Sequence, residues 1–238
     1  MQAHPHQGNR LLAHLPADEY DRLQPNLERV HLNLGSVIYE SGTSLTHVYF
    51  PIDCIVSLLY VMADGDSAEI AIVGNEGIVG TSLFMGGLTT TSRAIVQNAG
   101  DAYVLRSAQL TDEFQRAGAV QKLLLLYTQA LMTQMMQTGA CNRHHSVDQQ
   151  LCRWLLMSID RLPVNRVMMT EGLIANMLGV RRQGVTDATG VLEDAGLITY
   201  AAGKITVLDR RALEGHACEC YRVVKDEYDR LMPEASAT

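Results

Sequence analysis

The stretch GVRRQGVTDATGVLEDAGLI, Gly179 to Ile198, decides how the rest of the chain is read. Gly179 permits a left-handed or tight turn, and Val180 is placed to pack beneath it. A helical pattern follows from about Arg181, with Val185, Ala188 or Thr189, and Leu192 on its inner side. Gly196 stands near the C′ position that ends such a helix. Just upstream, Thr170 can cap a short helix, EGLIANML, with Glu171 in its first turn and Ile174, Ala175 and Leu178 facing inward. Two short helices joined through a glycine form a helix-turn-helix. Its outward edge carries Arg181, Arg182, Gln183, Thr186 and Asp187.

In such a motif the first turns of the second helix enter the major groove. Arginine there can bond guanine O6 and N7 together, and glutamine can do the same to adenine N6 and N7. Downstream, LITY, a turn at Ala202-Gly203 and KITVL describe a two-strand wing that places Lys204 for a phosphate. The DNA-facing set is therefore Thr170, Arg181, Arg182, Gln183, Thr186, Asp187 and Lys204. Two features fit less well. Arg181 occupies a cap position that Ser or Thr would fill better, and Gly184 and Gly190 each cost about 1 kcal/mol inside a helix. The plainer reading is a helical hairpin with a solvated charged edge; the wing and a long helix upstream favour DNA.

The 238 residues carry a formal charge of -7, which argues against non-specific nucleic-acid binding by the whole molecule. From Asp148 onward 11 Lys+Arg face 13 Asp+Glu, a net of -2, so a local basic surface remains available. No apolar run approaches the roughly 20 residues of a membrane span, and no secretory signal is visible at the N-terminus. Five scattered cysteines, Cys54, Cys141, Cys152, Cys218 and Cys220, suggest reduced thiols in a cytoplasm.

Between Val30 and Arg106 short apolar runs (VYF, IVSLLYVM, EIAIVG, RAIVQN, AYVLR) alternate with Gly, Asp and Asn, as in an antiparallel sandwich or jelly roll. ADGDS at Ala63–Ser67 and NAGD at Asn98–Asp101 both read as hairpins. From Ala117 to His145 the punctuation nearly vanishes, which predicts one long helix. Leu124, Tyr127, Leu131 and Thr138 mark one side, and Leu123, Ala130, Thr133 and Ala140 another. One side would pack on the sandwich and another on a second copy of the chain, with Leu123, Leu124, Tyr127, Leu131, Gln134 and Thr138 as the residues of this dimer helix. The alternative is a helix buried within a monomer. Ser146, with Gln149 three residues on, can open a further helix through a capping box. The domains expected are 1–116, 117–145 and 146–238.

Four segments resemble the Crp/Fnr family of bacterial transcription regulators: GSVIYESG (Gly35–Gly42), EGIVGTSLF, the long helix, and TEGLIANMLGVRRQGVTDATGVLEDAGLI. The resemblance implies an α+β chain: an N-terminal antiparallel jelly roll of cyclic-nucleotide-binding type, a long dimerisation helix, and a C-terminal winged helix-turn-helix. It implies a homodimer reading a pseudo-palindromic operator in double-stranded DNA, and contact with RNA polymerase. An effector pocket would fall at Gly80, Thr81, Ser82, Ser92 and Arg93. The departures matter here. Members that bind cyclic AMP present Gly-Glu-Leu and Arg-Ser, whereas this chain reads Gly80-Thr81-Ser82-Leu83 and Thr91-Ser92-Arg93-Ala94. Aligning Ala94 displaces Arg93 by one residue, to the opposite face of a strand, so cyclic AMP is not expected to bind. No cysteine precedes Cys54, which excludes the N-terminal iron–sulfur ligation of the oxygen-sensing members. Gln183-Gly184-Val185-Thr186-Asp187 replaces the family's Glu-x-x-Ser-Arg, so the operator should differ.

Two further groups tempt a metal reading. His216, Cys218 and Cys220 offer three ligands, but in a continuous helix Cys218 points away, and no fourth ligand can be nominated. Cys141, His144 and His145 share a face of the long helix, where haem or redox chemistry competes with plain hydrogen-bonded packing. Buried thiols are the simpler reading, so no cofactor or metal is expected. His4 and His6 flank a proline near the N-terminus and carry no assignment. A sensor module that controls a partner protein without DNA is the competing function; the wing and Arg181-Arg182-Gln183 count against it. An enzyme is third, since no triad, paired carboxylates or P-loop is present.

Overall fold

A computed structural model describes residues 8–232; His4 and His6 lie outside them. Two short helices, α1 (Arg10–Ala13) and α2 (Ala17–Leu23), precede seven strands: β1 (Glu28–Leu32), β2 (Val37–Tyr39), β3 (His47–Pro51), β4 (Ile55–Val61), β5 (Ser67–Val73), β6 (Arg93–Asn98) and β7 (Gly100–Arg106). They form two antiparallel sheets, ordered β1-β7-β3 and β2-β6-β4-β5. ADGDS is the β4–β5 hairpin, with Gly65 at φ +94°. NAGD is not a hairpin, because β6 pairs with β2 and β4 while β7 pairs with β1 and β3. The chain there turns a corner between the sheets. Gly100 makes this possible, since a Cβ would lie 2.5 Å from Asp53 Oδ1.

The run Ile55 to Leu59 is buried at every position. One face of β4 fills the sandwich, and the other is covered by a helix from the C-terminal half, which explains a near-continuous apolar strand. The outward residue Ser57 shows this cover: its Oγ lies 2.5 Å from Glu69 Oε2, and Glu69 Oε1 accepts from Trp154 Nε1 at 3.1 Å.

After α3 (Ser107–Gln115) comes the long helix α4 (Ala119–His144). Its free N-terminal amides are satisfied from outside: Ala119 and Val120 N–H donate to the two carboxylate oxygens of Glu19, each at 2.8 Å. Gly118 leaves room for that carboxylate, which a Cβ would approach to 2.6 Å.

The faces of α4 correct the sequence reading. Leu124, Tyr127, Leu131, Gln134 and Thr138 are buried against their own chain. The Tyr127 ring lies on Gly77, Gln134 Nε2 donates to Ile72 O at 2.9 Å, and Thr138 Oγ1 accepts from Arg153 Nη1 at 3.0 Å. Leu123 is only partly buried. The large apolar residues that α4 leaves exposed are Leu125, Met132 and Met136, spaced seven and four apart along one stripe. Counting apolar positions could not separate these faces, because apolar residues occur on both.

His145 ends α4 in an extended conformation, and Ser146 opens α5 (Val147–Ile159), with Gln149 Oε1 3.3 Å from the Ser146 amide. Every residue of α5 from Gln150 to Ile159 is buried, so this helix is the shared core of the two halves. Then follow β8 (Arg166–Met168), α6 (Glu171–Leu178), α7 (Arg182–Asp194), β9 (Ile198–Ala201), β10 (Lys204–Val207), α8 (Arg210–His216) and α9 (Glu219–Leu231). The wing has three strands, β8-β10-β9, and not two. The short β8 escaped the sequence reading because three residues after Pro163 and Asn165 give no period. The segment from Arg211 is two helices, broken where Ala217 and Cys218 are both extended. Among the described residues, no helix is long and apolar enough to cross a membrane.

Candidate nucleic-acid interface

Local chemistry builds the helix-turn-helix. Thr170 caps α6, its side chain accepting from the Leu173 amide, and Gly179 closes the helix at φ +66°. Arg181 is the N-cap of α7 and makes no side-chain cap bond, which leaves its side chain free. Val185, Ala188, Thr189 and Leu192 are buried on the inner side, so both Ala188 and Thr189 face the core. At the wing tip Ala202 and Gly203 have φ of +51° and +72°, the pattern of a tight two-residue hairpin.

All seven residues assigned to DNA are exposed: Thr170, Arg181, Arg182, Gln183, Thr186, Asp187 and Lys204. Glu171, read from the sequence only as a first-turn charge, organises them. Its Oε2 accepts from Thr186 Oγ1 at 3.0 Å and lies 3.5 Å from Arg182 Nε. Its amide lies 3.2 Å from Tyr200 Oη on the wing. Met169 N–H donates to Gly203 O at 2.7 Å, which seats the wing tip beside Thr170. Gln183 Nε2 donates to Asp187 Oδ1 at 2.8 Å, so these two occupy each other without a ligand. The result is a continuous polar surface running from α7 through the start of α6 to Lys204.

Arg181 also borders a cavity of about 510 Å³ between the turn of this motif and the β4–β5 hairpin, which contributes Met62, Asp66 and Ala68. The β4–β5 hairpin therefore reaches to the edge of α7.

The five effector-pocket residues are placed less favourably. Gly80, at φ +104°, opens a single 3-10 turn, Thr81–Leu83. Ser82 Oγ is buried without a hydrogen-bond partner among the described residues. Ser92 is buried, within 3.0 Å of Thr90 Oγ1, and burial pushes the neighbouring Tyr39 hydroxyl up. Ala94 is fully buried, whereas Arg93 is half-buried with Nε 3.3 Å from Glu40 Oε1. The nearby cavity, about 110 Å³, is lined by Tyr39, Ser44, His47 and Tyr49 among others, and by none of the five.

The cysteine and histidine groups come out differently from their sequence reading. The break at Ala217–Cys218 turns Cys218 to the same side as Cys220, and both meet Cys141 and His145 from the end of α4. His144 and His216 remain exposed and outside this cluster. Neither sequence segment showed that the other completes it.

Comparison with known proteins agrees with this architecture. Residues 29–117 match the family of the cyclic nucleotide-binding domain, and residues 149–215 match the Crp-like helix-turn-helix domain. No curated protein matches the chain. Among solved structures, FixK2 from Bradyrhizobium japonicum is similar at 16% identity and TM-score 0.70, over 81% of this chain and 98% of that one. A transcriptional regulator of the CRP family from Thermus thermophilus is similar at 19% identity and TM-score 0.64, over 80% and 96%. A CRP/FNR-family regulator of the same organism gives 18% and 0.61, over 80% and 98%. With a cyclic-nucleotide-binding-type roll and a Crp-like helix-turn-helix on one polypeptide, the chain belongs to the Crp/Fnr family of transcription regulators.

Proposed function

We propose that the protein is a homodimeric, site-specific DNA-binding transcription regulator whose roll (residues 1–116) does not answer to cyclic AMP. The observation that carries this is the free edge of α7: Arg181, Arg182 and Gln183 stand exposed at its first turn, with Lys204 of the wing beside them. A structural helix end would not favour two arginines against its dipole, whereas base edges and phosphates do. The exposed stripe Leu125, Met132 and Met136 on α4 supports pairing with a second copy, which would repeat the recognition helix about a two-fold axis. The position of Arg93, with Glu40 Oε1 3.3 Å from its Nε, supports indifference to cyclic nucleotides, because a carboxylate already stands beside the guanidinium that a cyclic phosphate would need.

Replacing Arg182 by Ala tests the reading. Specific affinity falls by about 1–3 kcal/mol and one operator position relaxes. An unchanged operator preference removes Arg182 from the base edge. Calorimetry with cyclic AMP and cyclic GMP gives no heat; tight binding of either overturns the pocket argument.

A further inference from the structure

The last turn of α4 and the junction of α8 with α9 meet 77 residues apart in sequence, and they meet through sulfur and nitrogen. Cys141 Sγ lies 3.5 Å from Cys218 Sγ, and Cys220 Sγ lies 3.4 Å from His145 Nδ1. All four donor atoms fall within 4.8 Å of one another. Each pair is set up locally. Cys141 and His145 stand four apart at the end of α4, so both project to one side. Cys218 is the N-cap of α9, with Cys220 in that helix's first turn, so both sulfurs sit at the same helix end.

We infer that Cys141, His145, Cys218 and Cys220 form a tetrahedral site for one zinc ion, which fastens the end of α4 to the start of α9. A zinc ion bound at about 2.3 Å to sulfur and 2.0–2.1 Å to nitrogen needs donors roughly 3.5–3.8 Å apart. The Cys141–Cys218 and Cys220–His145 edges, 3.5 and 3.4 Å, come close to that length. Three thiolates and one imidazole suit zinc among the common divalent ions, and four protein ligands describe a closed structural site. The donors converge on a point, too close together to hold an iron–sulfur cluster.

The surroundings match a metal site better than a packed apolar cluster. The three cysteines form a buried group separate from the main core. His145 directs Nδ1 to the sulfurs while Nε2 lies 3.3 Å from Glu219 Oε2, the carboxylate–histidine arrangement that orients metal-bound imidazole. Gln137 Nε2 donates to Cys220 Sγ at 3.1 Å, and Gln150 Nε2 donates to the His145 carbonyl at 2.8 Å. His145 is also one of the two residues between α4 and α5. A bound ion therefore fixes the joint from which the helix-turn-helix is suspended.

The test uses the full chain purified under reducing conditions. Elemental analysis should find one equivalent of zinc, and cobalt exchanged into the protein should give the intense absorption of a tetrahedral thiolate complex. Cys218→Ser and Cys220→Ser should lose the metal, while Cys54→Ser, outside the cluster, should keep it. Glu219→Ala should weaken zinc binding by about 10–100-fold. His145→Cys should keep cobalt with a stronger sulfur charge-transfer band, which guards against variants that fail to fold. A folded wild-type chain that takes up neither zinc nor cobalt overturns the site. So does retention of metal by both serine variants, or a Cys141–Cys218 disulfide whose reduction yields no metal uptake.

Discussion

Arg161 Nε lies 2.7 Å from Glu76 Oε1, and each side chain is more than nine-tenths buried. The same guanidinium donates to Met157 O at 2.7 Å and Gln134 Oε1 at 3.2 Å, and sits 5.5 Å from the centre of the Tyr228 ring. One residue just past the end of α5 thus ties together the roll, the long helix and the last helix. Gly74 makes the approach possible, because a Cβ there would lie 2.6 Å from Arg161 Cβ. Removing one member of a buried pair strands the other's charge, so Glu76→Ala should cost about 3–5 kcal/mol in urea unfolding. A loss under about 1 kcal/mol would show that the pair does not hold the halves together.

Burial pushes the Glu69 carboxyl up to about 7, against the opposing pull of Ser57, Arg153 and Trp154. The folded chain then keeps a proton that the unfolded chain releases near pH 4.5. The contribution of Glu69 to stability is greatest below that value, declines as pH rises to about 7, and stays level above it. A shift of this size amounts to about 3 kcal/mol. Urea midpoints at pH 5 and pH 8 should differ for the wild type and much less for Glu69→Gln. Equal pH slopes in both proteins would contradict the account.

Gly190 lies inside α7 with open space where a Cβ would be. Gly190→Ala should therefore raise stability by up to about 1 kcal/mol and leave operator choice unchanged, measured by thermal unfolding and gel shift. A destabilised variant would mean that α7 does not sit as described.

Met132 and Met136 are each more than half exposed on α4, with Leu125 two turns earlier. Met132→Glu should yield monomers in sedimentation experiments while the fold persists. Substituting Tyr127, which is fully buried, should lower stability instead. A Met132→Glu protein that remains dimeric would move the interface elsewhere.

Lys204, exposed on the wing, should act on phosphate. Lys204→Ala should weaken binding about equally across sequences and reduce the salt slope by about 1. A sequence-dependent loss would place this lysine at a base edge.

Much of this architecture was legible because local rules agreed. Thr170 as a cap, Gly179 and Gly196 as helix stops, and the alternation of the strands are short-range signals. Long-range choices were not legible. NAGD looks like any hairpin turn, and only the crowding of Gly100 against Asp53 shows that the next strand joins the other sheet. On α4, apolar residues occur all round, so sequence could not tell Tyr127, facing Gly77, from Met132, facing outward. Glu171 looked like a dipole charge because its partner Thr186 lies across a turn. The four-residue sulfur and nitrogen cluster was split between two segments, each unpromising by itself.

The recognition claim is tested most directly by selecting bound duplexes from a random pool with the wild-type protein and with Arg182→Ala. The wild type should enrich an inverted repeat whose half-sites lie about one helical turn, roughly 10 base pairs, apart, and Arg182→Ala should lose preference at one position in each half. A wild-type protein that enriches no duplex, or a single undivided site bound by a monomer, would contradict the account.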